Sequence, residues 1–135
     1  MTALQLFAAV CALWHLSYTA PLRVRTTLVA DAATTHGVPV TLLAAVCWVE
    51  SRLGTAPLYA SLCGVRLNHR YVRDDAQSAD IAGRSLAGLL RRCTTPRAAL
   101  AAYNRDGRCD DPRGRGYASA VIETARRLDR VRGAR

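Results

Sequence analysis

Lysine is missing from this chain. All nineteen basic residues are arginine. No single function excludes lysine everywhere, so the gap reads as coding bias such as high genomic GC content. Glutamate is nearly missing too, with Glu50 and Glu123 the only two. No two of the five cysteines are spaced C-x-x-C, so the usual zinc motifs are absent and neither a metal nor a cofactor is called for. The odd count allows at most two bridges and leaves one thiol. There are no internal repeats and no low-complexity linker.

What is present bounds the answer further. A length of 135 residues corresponds to a single domain, and an apolar half is enough for one real core. A formal charge of +9 favours polyanionic surroundings such as nucleic acid, anionic lipid or an acidic cell wall. The arginines are spread over loops and several helices rather than along one helix, and no nucleic-acid-binding motif occurs. Nucleic acid is therefore not the expected partner.

Residues 1–20 read as a hydrophobic leader. Ala3 to Leu16 is nearly all apolar, too short to span a bilayer comfortably, and resembles the hydrophobic region of an export signal. It lacks a preceding Lys or Arg, and Tyr18 is not the small residue expected before a cleavage site after Ala20. A helix of the folded domain and a retained anchor with transient membrane contact are the alternatives. The expected domain covers 21–130, followed by a basic tail, 131–135.

The domain reads as mainly α, with about five helices. Pro21 suits the first turn of a helix whose apolar face is Val24, Leu28 and Ala32, and Gly37 with Pro39 ends it. The next helix, from Val40 to Glu50 or Ser51, is apolar almost all round, which marks it as a core helix. Residues 52–73 lack a period and read as an irregular segment with at most a short hairpin. Asp74 and Gln77 form a capping box for a helix with Ala82, Leu86, Leu89, Leu90 and Cys93 on one stripe. Thr95 and Pro96 open a short helix to about Tyr103. After a polar loop, a last helix begins near Tyr117 with Ala118, Val121, Ile122, Ala125 and Leu128 on one face, and Glu123 spaced to pair with Arg127.

Glu50 is the candidate site residue. It continues the stripe of Leu43, Val46 and Cys47 at helical spacing, so it points where that apolar face points. Desolvation and the negative end of the helix both disfavour its anion. A carboxyl held protonated near neutral pH is what a general acid requires. The bland alternative is a frayed helix-end glutamate in solvent.

Glu50-Ser51, the turn Ser61-Leu62-Cys63-Gly64, then Ala101-Ala102-Tyr103-Asn104 and Tyr117, in that order, resemble the lytic transglycosylases of the goose-type lysozyme group. His36-Gly37-Val38-Pro39 looks like that family as well. The resemblance covers about residues 22–128 and implies a lysozyme-like domain, likewise a monomer, acting on peptidoglycan in the periplasm, the cell wall, the extracellular space or a phage virion. It implies cleavage of the β-1,4 bond between N-acetylmuramic acid and N-acetylglucosamine. One carboxyl protonates the glycosidic oxygen and then takes the proton of the muramyl C6 hydroxyl, giving a 1,6-anhydro product without water. By the resemblance, Glu50 is that acid/base, Ser51 helps polarise the sugar, Tyr103 and Asn104 contact substrate, and Tyr117 lies near the carboxyl. An internal nucleophile removes the need for a second carboxylate. Asp74, Asp75 or Asp106 facing Glu50 would instead indicate a hydrolysing lysozyme.

The chain departs from the family in two places. Leu67-Asn68-His69-Arg70 stands where the family has Gly-Leu-Met-Gln, with His69 or Arg70 as replacement contacts and Arg70 suited to an anionic glycan peptide. Ala82 and Ser85 replace a glycine and a tyrosine. A non-catalytic wall-binding or assembly module on the same fold is accordingly an alternative. Trp48 reads as a core residue before a sugar platform, Tyr59 and Tyr71 as weak sugar contacts, and His36 as a helix-end residue. If the loops holding Cys63 and Cys109 border one cleft, those two form the expected bridge. Cys93 would lie about 12–15 Å away at the far end of the helix that runs from Pro96 to Tyr103, and Cys47 would be a buried apolar residue. A bridge requires an oxidising compartment.

Overall fold

The computed structural model describes residues 1–105 and 107–133. Six α-helices and one two-stranded hairpin make up the regular structure among them: α1 Ala3–Trp14, α2 Ala20–His36, α3 Val40–Ser51, β1 Arg66–Leu67, β2 Arg70–Tyr71, α4 Asp75–Arg92, α5 Pro96–Arg105 and α6 Arg115–Gly133. A 3-10 turn, Pro112–Gly114, leads into α6.

Helix α3 is the central post. Seven consecutive residues, Thr41 to Cys47, are buried along it, because α2, α4 and α6 pack around it. An apolar helix of this kind is stable only when covered on every side. The largest inter-helix interface joins α2 to α4, and α5 lies between α4 and α6.

The chain ends of the helices follow their local chemistry. Thr19 accepts from the Leu22 amide at 3.4 Å and Thr95 from the Ala98 amide at 3.1 Å. The Asp74 carboxylate accepts from the Gln77 amide at 2.7 Å. Gly37 closes α2 in the left-handed conformation, its amide donating to Ala33 and Thr34. The buried face of α2 differs from expectation. Ala32 is buried and Leu28 packs on the core as expected, but Val24 is 58% exposed, and Leu22, Thr26, Val29, Ala30 and Ala33 face inward as well. Thr26 hid this register, because a buried threonine reads as polar; its hydroxyl is satisfied by the Arg23 carbonyl at 3.0 Å.

The apolar segment read as a leader forms α1. A capping box joins Thr2 and Gln5 at its start. Leu6, Phe7, Ala9, Val10 and Cys11 are buried, and α1 packs on α2 and α6. Trp14 stacks on Trp48 of α3 with ring centroids 3.7 Å apart and planes 12° off parallel. No helix among the described residues is long and apolar enough to cross a membrane.

At the other end α6 continues to Gly133, with Val131 packed against the core, so residues 131–133 extend the helix. Residues 134 and 135 of the expected tail lie outside the described residues. Glu123 pairs with Arg130 at 3.0 Å rather than with Arg127. Its exposed position allows it to reach nearly two turns along the helix.

The irregular segment is held by Arg25, which bonds the Gly54 carbonyl and Asp75, each at 3.2 Å, and lies over the Tyr59 ring. The expected hairpin is present. Its two-residue turn, Asn68–His69, has φ of 51° and 63°, the paired left-handed geometry that matches strand twist. Arg66 pairs across it with Tyr71.

Two disulfides close the fold, Cys47–Cys63 and Cys93–Cys109; Cys11 is a buried free thiol. The expected Cys63–Cys109 bridge is therefore incorrect. The segment after α5 does not stay at the helix end: it runs back along α5, where the Asp110 amide donates to the Ala98 carbonyl at 3.0 Å. That return places Cys109 beside Cys93, with Cα atoms 5.5 Å apart, and frees Cys63 for α3. Two bridges mark a chain that matures in oxidising, exported surroundings.

Candidate active site

Glu50 sits in the last turn of α3 and opens into a cleft of about 660 Å³. Around it lie Gly64, Val65, Arg66, Leu67 and Tyr71 from the loop and hairpin, Ile81, Ser85, Leu89 and Arg92 from α4, Ala102 to Arg105 from α5, then Gly107 and Arg113. Helices α3, α4 and α5 and the hairpin thus converge on one opening.

Burial pushes the Glu50 carboxyl above its ordinary pKa; the Tyr117 hydroxyl and the Arg66 charge oppose the shift without cancelling it. Half-burial is therefore the dominant influence. Burial first, then the Glu50 charge and Tyr103, raise Tyr117 far above a normal phenol, so it remains protonated at all working pH. Its buried hydroxyl has no hydrogen-bond partner of good geometry among the described residues, yet it lies close enough to Glu50 for each to shift the other. A donor left unpaired next to a carboxyl is available to the anion that forms when the proton is delivered.

The loop over Glu50 is fixed at many points. The Cys47–Cys63 bridge joins it to α3 one turn before Glu50. The Tyr103 hydroxyl donates to the Cys63 carbonyl at 2.7 Å. Ser78 of α4 accepts from the Cys63 amide at 3.0 Å and lies 2.9 Å from the Ser61 hydroxyl, which accepts from the Val65 amide at 3.0 Å. Gly64, at the centre of this clamp, has a φ of +70°, and a Cβ there would overlap the Glu50 carboxyl. Glycine is required on both counts.

Ser51 occupies a different place from that implied by the resemblance. It is 2% exposed and absent from the cleft wall. Its hydroxyl donates to the Leu62 carbonyl at 2.7 Å and accepts from the Gly54 amide at 3.0 Å. It ties the loop to α3, and a serine so engaged has no hydroxyl to offer a sugar. Arg70 is exposed on the hairpin and also stands outside the cleft wall. Its neighbour Tyr71 lines the cleft, and successive side chains of a strand point to opposite faces.

Tyr103, Asn104 and Tyr117 are brought to Glu50 as the motif order implied. Tyr103 and Asn104 line the cleft, and the Tyr103 and Tyr117 rings are near parallel, 12° apart, with centroids at 6.4 Å. Of the aspartates weighed as partners, Asp74 caps α4 and Asp75 is held by Arg25 and Tyr59. Asp106 lies outside the described residues. Among the described residues, Glu50 is the sole carboxyl on the cleft wall.

Other expectations resolve plainly. His36 bonds Asp80 at 2.7 Å instead of its own helix end. Trp48 is a packing residue, and Tyr59 is away from the cleft, whereas Tyr71 lines it. Sequence reasoning missed Arg66, Arg92, Arg105 and Arg113 on the cleft wall. In a chain with nineteen arginines, composition gives no signal to pick out four.

No protein-family model, curated protein or solved structure matches this chain.

Proposed function

We propose that the chain is a peptidoglycan lytic transglycosylase with a lysozyme-like domain. It cleaves the β-1,4 bond between N-acetylmuramic acid and N-acetylglucosamine, with Glu50 as its single acid/base. One observation carries the reading: a carboxyl, raised in pKa by burial and alone among the described residues, on the wall of an open cleft. Glycosidases that use water or a covalent intermediate employ two carboxyls about 5–9.5 Å apart. A carboxyl without such a partner among the described residues suits intramolecular attack by the muramyl C6 hydroxyl, in which the same group first donates and then accepts.

The geometry supports a role for each group. Protonated Glu50 delivers its proton to the glycosidic oxygen. The Tyr117 hydroxyl stabilises the carboxylate so formed. Tyr103 holds the Cys63 carbonyl, and with it Gly64, at van der Waals distance from the reacting group. Asn104 is free on the cleft wall to contact sugar. The order Glu50-Ser51, Ala101-Ala102-Tyr103-Asn104, Tyr117 supports the same reading, although Ser51 serves the loop rather than the substrate.

Mass spectrometry of products from purified peptidoglycan tests it. Anhydromuramyl ends are expected. Reducing ends would mean a hydrolysing lysozyme, and wall binding without products would mean a binding module. Glu50→Gln removes the transferable proton at nearly constant shape and is expected to lower turnover by at least about a thousandfold, in line with losing general acid catalysis. Substantial residual activity would displace Glu50 from this role.

A further inference from the structure

The cleft is unusually basic. Among the described residues, Arg66, Arg92, Arg105 and Arg113 line it against the one carboxyl of Glu50, and they arrive from four different elements. Three of the four are already engaged, but only one of them by a carboxylate. Arg113 holds the buried Asp111 by bonds of 3.1 and 2.8 Å to its two oxygens, so its charge is balanced locally. Arg66 lies over the Tyr71 ring at 4.7 Å and bonds its hydroxyl at 2.8 Å, which fixes its position and leaves its charge uncompensated. Arg105 donates from Nε to the Arg113 carbonyl at 3.3 Å, a neutral acceptor that does not cancel its charge. Arg92, in the last turn of α4, has no carboxylate partner among the described residues.

Neutral sugar needs none of this. A glycan bearing only acetamido and hydroxyl groups is bound by aromatic faces and uncharged hydrogen bonds, and cationic walls add nothing to its affinity. On a fully substituted strand the lactyl carboxyl of muramic acid is tied up in its amide bond, and the anions lie in the short attached peptides, whose free carboxylates project from the strand. Such a strand, laid along a cleft with its scissile bond at Glu50, carries its carboxylates past the walls.

We infer that Arg66, Arg92 and Arg105 make the cleft selective for glycan strands that still carry their carboxylate-bearing peptides, over the same strands stripped of them. The inference rests on the peptidoglycan reading of the Glu50 site and names which form of that polymer it takes. Guanidinium groups suit the task because they bind carboxylates through two parallel hydrogen bonds. Each partly exposed pair contributes a factor of about two to five, so three pairs at the lower end of that range give roughly a tenfold preference.

The test compares kcat/KM on peptide-bearing strands with kcat/KM on strands freed of peptide by an amidase, with the lactyl carboxylates so exposed on muramic acid capped as amides. The wild-type ratio is expected near tenfold and should shrink as salt rises from about 50 to 300 mM, because exposed pairs are screened. Arg92→Gln with Arg105→Gln should bring the ratio to within about twofold of unity. Arg126→Gln with Arg127→Gln, the same charge change on the exposed side of α6, should leave the ratio as it was. A wild-type ratio of one, or a ratio that survives in the Arg92/Arg105 variant, overturns the inference. If neither strand is cleaved, binding of a muramyl peptide and of its peptide-free disaccharide, the lactyl carboxyl capped as an amide, to Glu50→Gln, read by calorimetry, still decides. Tighter binding of the peptide form, lost with Arg92 and Arg105, upholds the selectivity while the turnover reading falls. Equal binding overturns it.

Discussion

The carboxyl of Glu50 is costly to the fold for the same reason that it is useful to chemistry. Its folded pKa is raised by burial, so the native state binds its proton more tightly than the unfolded chain does. Stability attributable to this group is therefore greatest below the ordinary carboxylate pKa. It is lost progressively as pH rises from that value through the raised one. Glu50→Gln removes the penalty. Its melting temperature should exceed that of the wild type at pH 7, and the gap should close near pH 4; equal melting curves at both pH values would contradict the raised pKa. Arg66 works in the opposite direction by favouring the anion. Arg66→Gln is expected to move the alkaline limb of the kcat/KM profile to higher pH, and an unmoved limb would show that its charge does not reach Glu50. Gly64→Ala places a methyl group into the carboxyl and forces a strained φ. It should cost about 1–3 kcal/mol of stability and at least tenfold in kcat/KM, as measured by denaturant melts and product assays.

Among the elements, α3 was the most legible. An all-round apolar run ended by a carboxylate can only be a covered helix with one polar group at its exit, and Thr41 to Cys47 are buried accordingly. Helix α6 was legible for the complementary reason: a single clean stripe from Ala118 to Leu128 fixes one face. Helix α2 was not, because Thr26 and the alanines that pack inward carry little hydrophobic signal. Exposed Val24 offered a false one. The site was half legible. Tyr103, Asn104 and Tyr117 gather at Glu50 through tertiary packing whose order along the chain gave it away. Ser51 and the bridges depended on where loops turn, and loop direction leaves no period in sequence. Helix α1 shows the limit of composition, since a short apolar run describes a leader and a core helix equally well. Leu6 and Leu4 separate the two behaviours within this helix: Leu6 is fully buried and Leu4 is 64% exposed. Leu6→Ala should cost about 2–5 kcal/mol and Leu4→Ala within about 0.5 kcal/mol, by urea unfolding of the full chain.

For the whole molecule, the two disulfides enclose loops of equal length, each with a sequence separation of 16. Chain entropy assigns each about 3 kcal/mol, so stability alone does not tell them apart. Their positions do. Cys93–Cys109 fastens the start of α5 to the segment that returns along it, whereas Cys47–Cys63 fastens the loop that carries Gly64 onto the helix that carries Glu50. Replacing either pair with alanine should lower the unfolding free energy by a similar amount. Only Cys47→Ala with Cys63→Ala should also reduce kcat/KM beyond about tenfold at a temperature where both variants are folded. Equal activity losses would make the bridge beside Glu50 a general staple and nothing more.

The stacked tryptophans of α1 and α3 have a practical consequence. Trp14 and Trp48 are the only two in the chain, and they touch, so their near-ultraviolet signal reports a single event: the seating of the first helix on the post that bears Glu50. Light absorbed near 295 nm, where tyrosine is nearly silent, thus gives an optical gauge of that one junction without any added dye. A loss of the paired signal before the far-ultraviolet helical signal would show α1 lifting off while the remaining helices stay assembled.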